Sequence, residues 1–257
     1  NLGATNTAYA LVVDDEVPRG GTLFSDDFTA DTSTAWKVNV ADPNDGFVEF
    51  AWDYGTLAGI PPAPATTDGS TKGLRMRCGN VTPQPSAVSL SPLLGNFTGN
   101  YRLTFDLWIN YNGPLPDGGA GSTQHFDAGV GTTGDTVVWY NNPSADGVWF
   151  TCSGDGADGA TFGDYSAFIG LYTQNDDTGF YAAGTGPANG GLRDHANAFY
   201  TSLWGGQTAP AAQLALYPGQ TGVANLGNAG MAWHSDVMTR AGYTVQWQMH
   251  GMTICSV

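Results

Sequence analysis

Tyr101-Arg102-Leu103-Thr104-Phe105-Asp106-Leu107-Trp108-Ile109-Asn110 is the stretch that decides the fold. Leu103, Phe105 and Leu107 alternate with Arg102, Thr104 and Asp106, a period of two that turns one set to a core and the other to water or a loop layer. A helix would space its apolar residues three and four apart, so this stretch reads as a strand.

The same reading extends in both directions. Phe47 and Glu49 alternate with Val48 and Phe50, and turn-bounded β-prone runs recur at Thr22 to Phe28, Trp36 to Val40, Gly46 to Trp52, Gly73 to Cys78 and Ala87 to Leu90. Beyond the deciding stretch they continue at His125 to Val130, Thr136 to Tyr140, Gly147 to Cys152, Tyr165 to Tyr172, Gly179 to Ala182, Met231 to Thr239, Tyr243 to Met249 and Met252 to Val257. Many short strands without long helices imply an all-β, two-sheet antiparallel β-sandwich. The 37 Gly, 14 Pro and 12% aromatic residues agree, being the composition of strands and turns. Residues 22 to 257 then form one domain preceded by an arm, residues 1 to 21, whose segment Thr7 to Val13 is β-prone. No fixed-period repeat points to a propeller or solenoid.

Charge excludes one class of partner. With 23 acidic residues against 8 basic, the net charge is −15, and a chain this short of Lys and Arg is not built for nucleic acid. Only Glu16 and Glu49 are Glu; the other acids are Asp, which in loops suits hard divalent cations. No run of 18 apolar residues offers a membrane span. The chain begins at Asn1, and the expectation is a secreted, extracellular or cell-surface protein whose signal peptide has been removed. Asn80-Val81-Thr82 and Asn96-Phe97-Thr98 fit the glycosylation sequon. Cys78, Cys152 and Cys255 allow at most one internal disulfide, with the pairing open.

A Gly/Ala/Asn-rich insertion spans residues 184 to 230, with helix-permissive pieces at Arg193 to Ser202 and Ala209 to Leu216. Loops this long in a compact domain are functional or disordered. This one carries Tyr200, Trp204, Tyr217, Asp194 and His195, unlike a disordered linker.

Trp233-His234-Ser235-Asp236-Val237, then Thr239-Arg240-Ala241-Gly242, then Thr244-Val245-Gln246-Trp247-Gln248 and Gly251, resembles the strand-turn-strand signature of laminin-G-like, concanavalin A-type domains. Leu23 to Phe28 resembles their opening strand and Tyr101 to Asn110 their long central strand. Together with Phe50 to Tyr54 and Gly205 to Pro210, most of residues 22 to 257 is also similar to uncharacterised secreted proteins of environmental bacteria. The resemblance implies a jelly-roll, concanavalin A-like sandwich and brings no activity with it. Such domains run on for another strand or two after the hairpin, whereas this chain stops at Val257. The resemblance therefore implies an open sheet edge, for which the arm, through Thr7, Tyr9, Leu11 and Val13, is the expected donor strand, within the chain or between copies.

Three constellations bear on chemistry. Asp155, Asp158 and Asp164 lie three and six residues apart among glycines, a loop able to fold carboxylates onto Ca²⁺, although it lacks the closing Glu of an EF-hand. The same residues serve as ordinary turn formers. Asp26 and Asp27 form a second candidate pair for the metal. Trp139 and Tyr140, beside Asn141 and Asn142, together with Tyr200, Trp204 and Tyr217, are candidate sugar-stacking rings, against a core role for each.

Catalytic residues are expected to be none. The paired Glu residues of laminarinase-type glycosidases are missing. Gln248-Met249-His250 matches a triplet of alginate-lyase-type sandwiches, yet Arg75-Met76-Arg77 lacks the Glu of their arginine strand, so His250 reads as a hairpin end. The four histidines form no zinc motif, and no G-x-S-x-G elbow is present. The expectation is a Ca²⁺-stabilised, non-catalytic extracellular adhesion or assembly protein whose partner is itself. The alternatives are a lectin-like module for extracellular glycans and, behind it, a polysaccharide lyase or glycosidase.

Overall fold

The computed structural model describes residues 5–6, 11–14, 21–79, 86–111, 124–137, 146–156, 163–170, 179–184, 190–220 and 222–257. The chain forms an all-β sandwich of antiparallel sheets. Its strands are β1 (Thr5–Asn6), β2 (Leu11–Asp14), β3 (Gly21–Phe24), β4 (Trp36–Val40), β5 (Gly46–Asp53), β6 (Lys72–Cys78), β7 (Val88–Pro92) and β8 (Tyr101–Trp108). They continue as β9 (His125–Val130), β10 (Val148–Ser153), β11 (Tyr165–Ile169), β12 (Phe180–Tyr181), β13 (Trp233–Ala241), β14 (Thr244–Met249) and β15 (Met252–Ser256). Trp36–Val40 and His125–Val130 coincide with the β-prone runs read from the sequence. Of the expected strand at Thr136 to Tyr140, residues 138–140 lie outside the described residues, and Thr136 and Val137 are not in a strand.

A ten-stranded sheet runs β12-β15-β14-β13-β8-β1-β6-β5, with β2 pairing both β8 and β3. A three-stranded sheet, β11-β10-β9, covers its inner face, and β4 and β7 form a separate ribbon. The two sheets meet through large rings: Phe150 packs on Trp247 at 5.5 Å, Tyr165 on Trp247 at 6.1 Å, and Phe105 on Phe126 at 5.3 Å. Leu107, Met238, Met249, Ile254 and Cys152 fill the space between them. This burial of apolar area is the main favourable contribution to such a core.

From Phe105 to Trp108, β8 is buried on both faces. Its second face, with Trp108, meets Trp52, Tyr54, Ile60, Tyr111 and Met231 in a separate core under the loop layer. Asp106, on the face assigned to water or a loop layer, meets the loop layer and is only 2% exposed: its carboxylate accepts from Ala65 N (2.6 Å) and Ser235 Oγ (2.7 Å).

The insertion folds as short helices, Gly190–Arg193, Ala198–Thr201 and Ala211–Leu216, within the helix-permissive pieces or at their edge. A buried amide network docks it. Gln213 Nε2 donates to Asn110 Oδ1 (3.2 Å) and Gln220 Oε1 (3.0 Å), while Trp108 Nε1 donates to Gln213 Oε1 (3.2 Å). Buried amides on both partners are thereby satisfied, as folding requires. A further helix, Tyr54–Ala58, carries no apolar periodicity. It is set by its ends: Asp53 accepts from Thr56 N at the start, and Gly59 closes it at φ 66°.

None of the three cysteines is in a disulfide; Cys152 and Cys255 are buried in the core. Burial pushes the thiol of Cys78 up to about 11 and that of Cys152 well above its ordinary value, so neither is an activated nucleophile. Among the described residues, no helix is long and apolar enough to cross a membrane.

Candidate functional site

Two places combine exposed or titratable chemistry with a built geometry: an Asp/His cluster where the insertion meets the Asp-rich loop, and the edge of β8 covered by the arm.

The cluster begins with backbone. Ser153 N donates to Asp164 O (2.7 Å), closing the loop between β10 and β11 at its base. Asp164 is 1% exposed, and its Oδ2 accepts from His195 N at 2.8 Å and lies 2.7 Å from His195 Nδ1. Asp194 Oδ1 stands 3.5 Å from the same ring nitrogen and accepts from Ala196 N at 2.8 Å. Loop glycines make room for this docking. A Cβ on Gly156 (φ 69°) would lie 3.0 Å from the His195 ring, and one on Gly163 (φ 85°) would lie 3.0 Å from Arg193 Cβ. Arg193 Nη1 also donates to Ser166 Oγ at 3.4 Å.

One ligand atom from each of Asp164, Asp194 and His195 lies within 4.8 Å of the others, the only such group of three among the described residues. Two carboxylate oxygens and one imidazole nitrogen are a mixed N/O set of the kind that borderline divalent ions accept. Ca²⁺ takes six to eight oxygens, more than these three side chains supply. Without an ion, the Asp164–His195 contact is by itself a clamp between the loop and the insertion.

The other expected metal ligands are placed elsewhere. Asp155 is fully buried, its Oδ1 accepting from Ser153 Oγ at 2.8 Å, and is not a member of the group. Asp158 lies outside the described residues. Asp26 accepts from Phe28 N (2.8 Å), Thr32 Oγ1 (2.6 Å) and Trp36 Nε1 (2.7 Å), which commits both carboxylate oxygens to the turn after β3. Asp27 Oδ1 closes the next turn on Thr29. Both are turn builders, because short Asp side chains reach the backbone two residues on.

The sugar-stacking expectation needs correction at two positions. Tyr200 is fully buried, stacked on Tyr165 at 4.0 Å, with its hydroxyl donated to Leu192 O (2.9 Å). Trp204 is 9% exposed, its Nε1 donating to Tyr165 Oη (2.6 Å) and Gly227 O (3.1 Å). These rings anchor the insertion and offer no open face, since burying their large area is worth more than exposing it. Tyr217 is half-buried and its hydroxyl accepts from Arg75 Nη1 at 3.3 Å. Trp139 and Tyr140 lie outside the described residues.

His250 sits in the turn between β14 and β15 at φ 49°, the hairpin end that its position suggests. Its Nε2 lies 3.1 Å from Nδ1 of buried His234, whose own Nε2 is 2.8 Å from Ala229 O. His234 Nε2 therefore carries the proton and Nδ1 accepts. Burial, then the neighbouring His250, pushes the His234 pKa down to about 3. A neutral, enclosed imidazole with both nitrogens engaged has structure as its task.

The arm lies along β8. Leu11, Val12, Val13 and Asp14 pair with Thr104, Leu103, Arg102 and Tyr101, and Thr5 pairs with Trp108 on one side and Arg75 of β6 on the other. Of the expected arm residues, Leu11 and Val13 are thus in the sheet, whereas Thr7 and Tyr9 lie outside the described residues.

The chain matches no family model, and neither curated proteins nor solved structures yield a match to it.

Proposed function

We propose that the chain is a non-catalytic extracellular adhesion or assembly protein, a laminin-G-like sandwich whose N-terminal arm is a strand donor, in its own sheet or in that of a second copy. The position of the arm carries this reading: β1 and β2 lie on the edge of β8, and among the described residues β1 joins the β5–β6 hairpin to β8 in the sheet order. A strand contributed by such an arm and lodged mid-sheet is the geometry from which strand exchange proceeds, because the acceptor edge is the same for either donor.

The outer edges support the same reading. β12 has two residues, and β5 is interrupted by a register shift between Glu49 and Trp52 with Ala51 at φ 53°. Both are devices that discourage edge pairing. The eight residues of β8 have no such device, so without the arm they present an open template.

A divalent cation held by Asp164, Asp194 and His195 would brace the insertion in the assembled state. The lectin alternative loses Tyr200 and Trp204 to the core. The test is mass-resolved light scattering with electron microscopy of the whole chain and of a form lacking residues 1 to 18, each with Ca²⁺ and with chelator. Polymers that require the arm support strand donation between copies; a monomer under every condition overturns assembly and leaves the arm a strand of its own sheet.

A further inference from the structure

Asp236 lies in the middle of β13, paired with Phe105 of β8 and Met249 of β14, and is 1% exposed. Its Oδ1 accepts from Trp247 Nε1 at 2.7 Å, and its Oδ2 is buried with no hydrogen-bond partner among the described residues. His234 and Met238 flank it on the buried face of the strand.

Among the described residues, the Trp247 indole N–H favours a negative charge on this group, and no cation stands beside it to hold that charge. Asp106 of β8 repels an anion there, and Cys152 of β10 is a buried neutral thiol that offers no counter-charge. On β13 itself the nearest titratable side chain is His234, which stays neutral. β14 contributes the uncharged Trp247, and the β15 residue paired with Trp247 is the buried thiol Cys255. No Lys or Arg forms an ion pair with Asp236 among the described residues. An isolated buried carboxylate costs far more than a neutral carboxylic acid.

We propose that Asp236 is a proton-gated latch between the two sheets: the three-stranded sheet closes over its neutral carboxyl group, and the closure loosens when that proton leaves. The proton resides on Oδ2, while Oδ1 keeps the indole bond. Burial moves the Asp236 pKa from 3.8 to about 8. The unfolded chain loses this proton near 3.8 and the folded chain near 8. The stability associated with the group is therefore complete below 3.8, declines as pH rises, and is spent once pH passes about 8.

The experiment follows the aspartate carboxyl carbons of the full chain by NMR from about pH 5 to about pH 10, together with amide exchange in β10 and β11, for wild type, Asp236→Asn and Cys152→Ala. In wild type, one carboxyl carbon should titrate near 8. Exchange in β10 and β11, corrected for intrinsic base catalysis, should rise by about tenfold or more across the same interval. Asp236→Asn should lose that resonance and flatten the exchange profile, while Cys152→Ala keeps both features. A wild type in which every aspartate is already ionised near pH 6, or an exchange rise that persists in Asp236→Asn, overturns the latch. Should Asp236→Asn fail to fold, the wild-type carboxyl titration decides alone.

Discussion

Asp164 Oδ2 holds two donors of one residue, the backbone N–H of His195 at 2.8 Å and its ring Nδ1 at 2.7 Å. A single carboxylate oxygen thereby fixes both the chain path and the ring orientation of the insertion where it crosses the β10–β11 loop. Charge-assisted bonds of this kind are about twice as strong as neutral ones.

Replacing Asp164 by Asn keeps the shape and removes the charge. The loss should be about 1–3 kcal/mol, because the remaining groups are buried. Urea unfolding of Asp164→Asn, His195→Ala and the double variant should give a coupling energy of about 1 kcal/mol or more. Purely additive losses would show that the clamp is not a unit. Any thermal shift that Ca²⁺ or Zn²⁺ produces in wild type should also vanish in Asp164→Asn.

Gly227 is the tightest point of the same crossing. At φ 79°, a Cβ there would stand 2.0 Å from His195 O, a backbone atom with no freedom to retreat. Its carbonyl also accepts from Tyr165 Oη at 2.6 Å and from Trp204 Nε1 at 3.1 Å. Gly227→Ala should cost about 4 kcal/mol or more. Gly242→Ala, at φ 60° in open space, should cost only about 1–2 kcal/mol. Thermal melts of the pair separate steric blockage from the ordinary cost of a left-handed backbone.

His234 sets the behaviour in acid. Its pKa is pushed from 6.5 down to about 3, so the unfolded chain takes up a proton that the folded chain refuses. Stability is full above 6.5 and falls as pH drops toward 3, at up to roughly 1.4 kcal/mol per pH unit. Denaturant midpoints of His234→Gln across this interval should fall less steeply than those of wild type. Equal slopes would remove His234 as the cause.

Val12→Pro tests the arm. Val12 pairs with Leu103 of β8 and with Phe24 of β3, so its N–H serves one ladder or the other, and proline deletes that donor. Self-assembly should fall sharply in light scattering while near-ultraviolet circular dichroism, to which the buried rings Trp149, Trp247 and Tyr165 contribute, stays unchanged. Loss of the circular dichroism signal instead would mean that the arm is needed for the fold itself.

Alternation in Tyr101 to Asn110 and its neighbours was enough to determine an all-β sandwich, because a strand's two faces are written in adjacent residues. The acid excess, the helix-permissive insertion and the β-prone arm were legible for the same reason: each is a property of a contiguous stretch. The tertiary structure decided what distance in sequence hides. Asp164 and His195 are 31 positions apart, and no local pattern pairs them. Asp194 and His195 stood out only as polar residues in a long loop. Tyr200 and Trp204 looked like binding rings until packing made them core, and only the second core decided that the Asp106 face of β8 meets a loop layer and not water. Asp236 occupies an ordinary alternating position; its trapped proton follows from strands brought together across the whole chain, since desolvation depends on the closed sandwich.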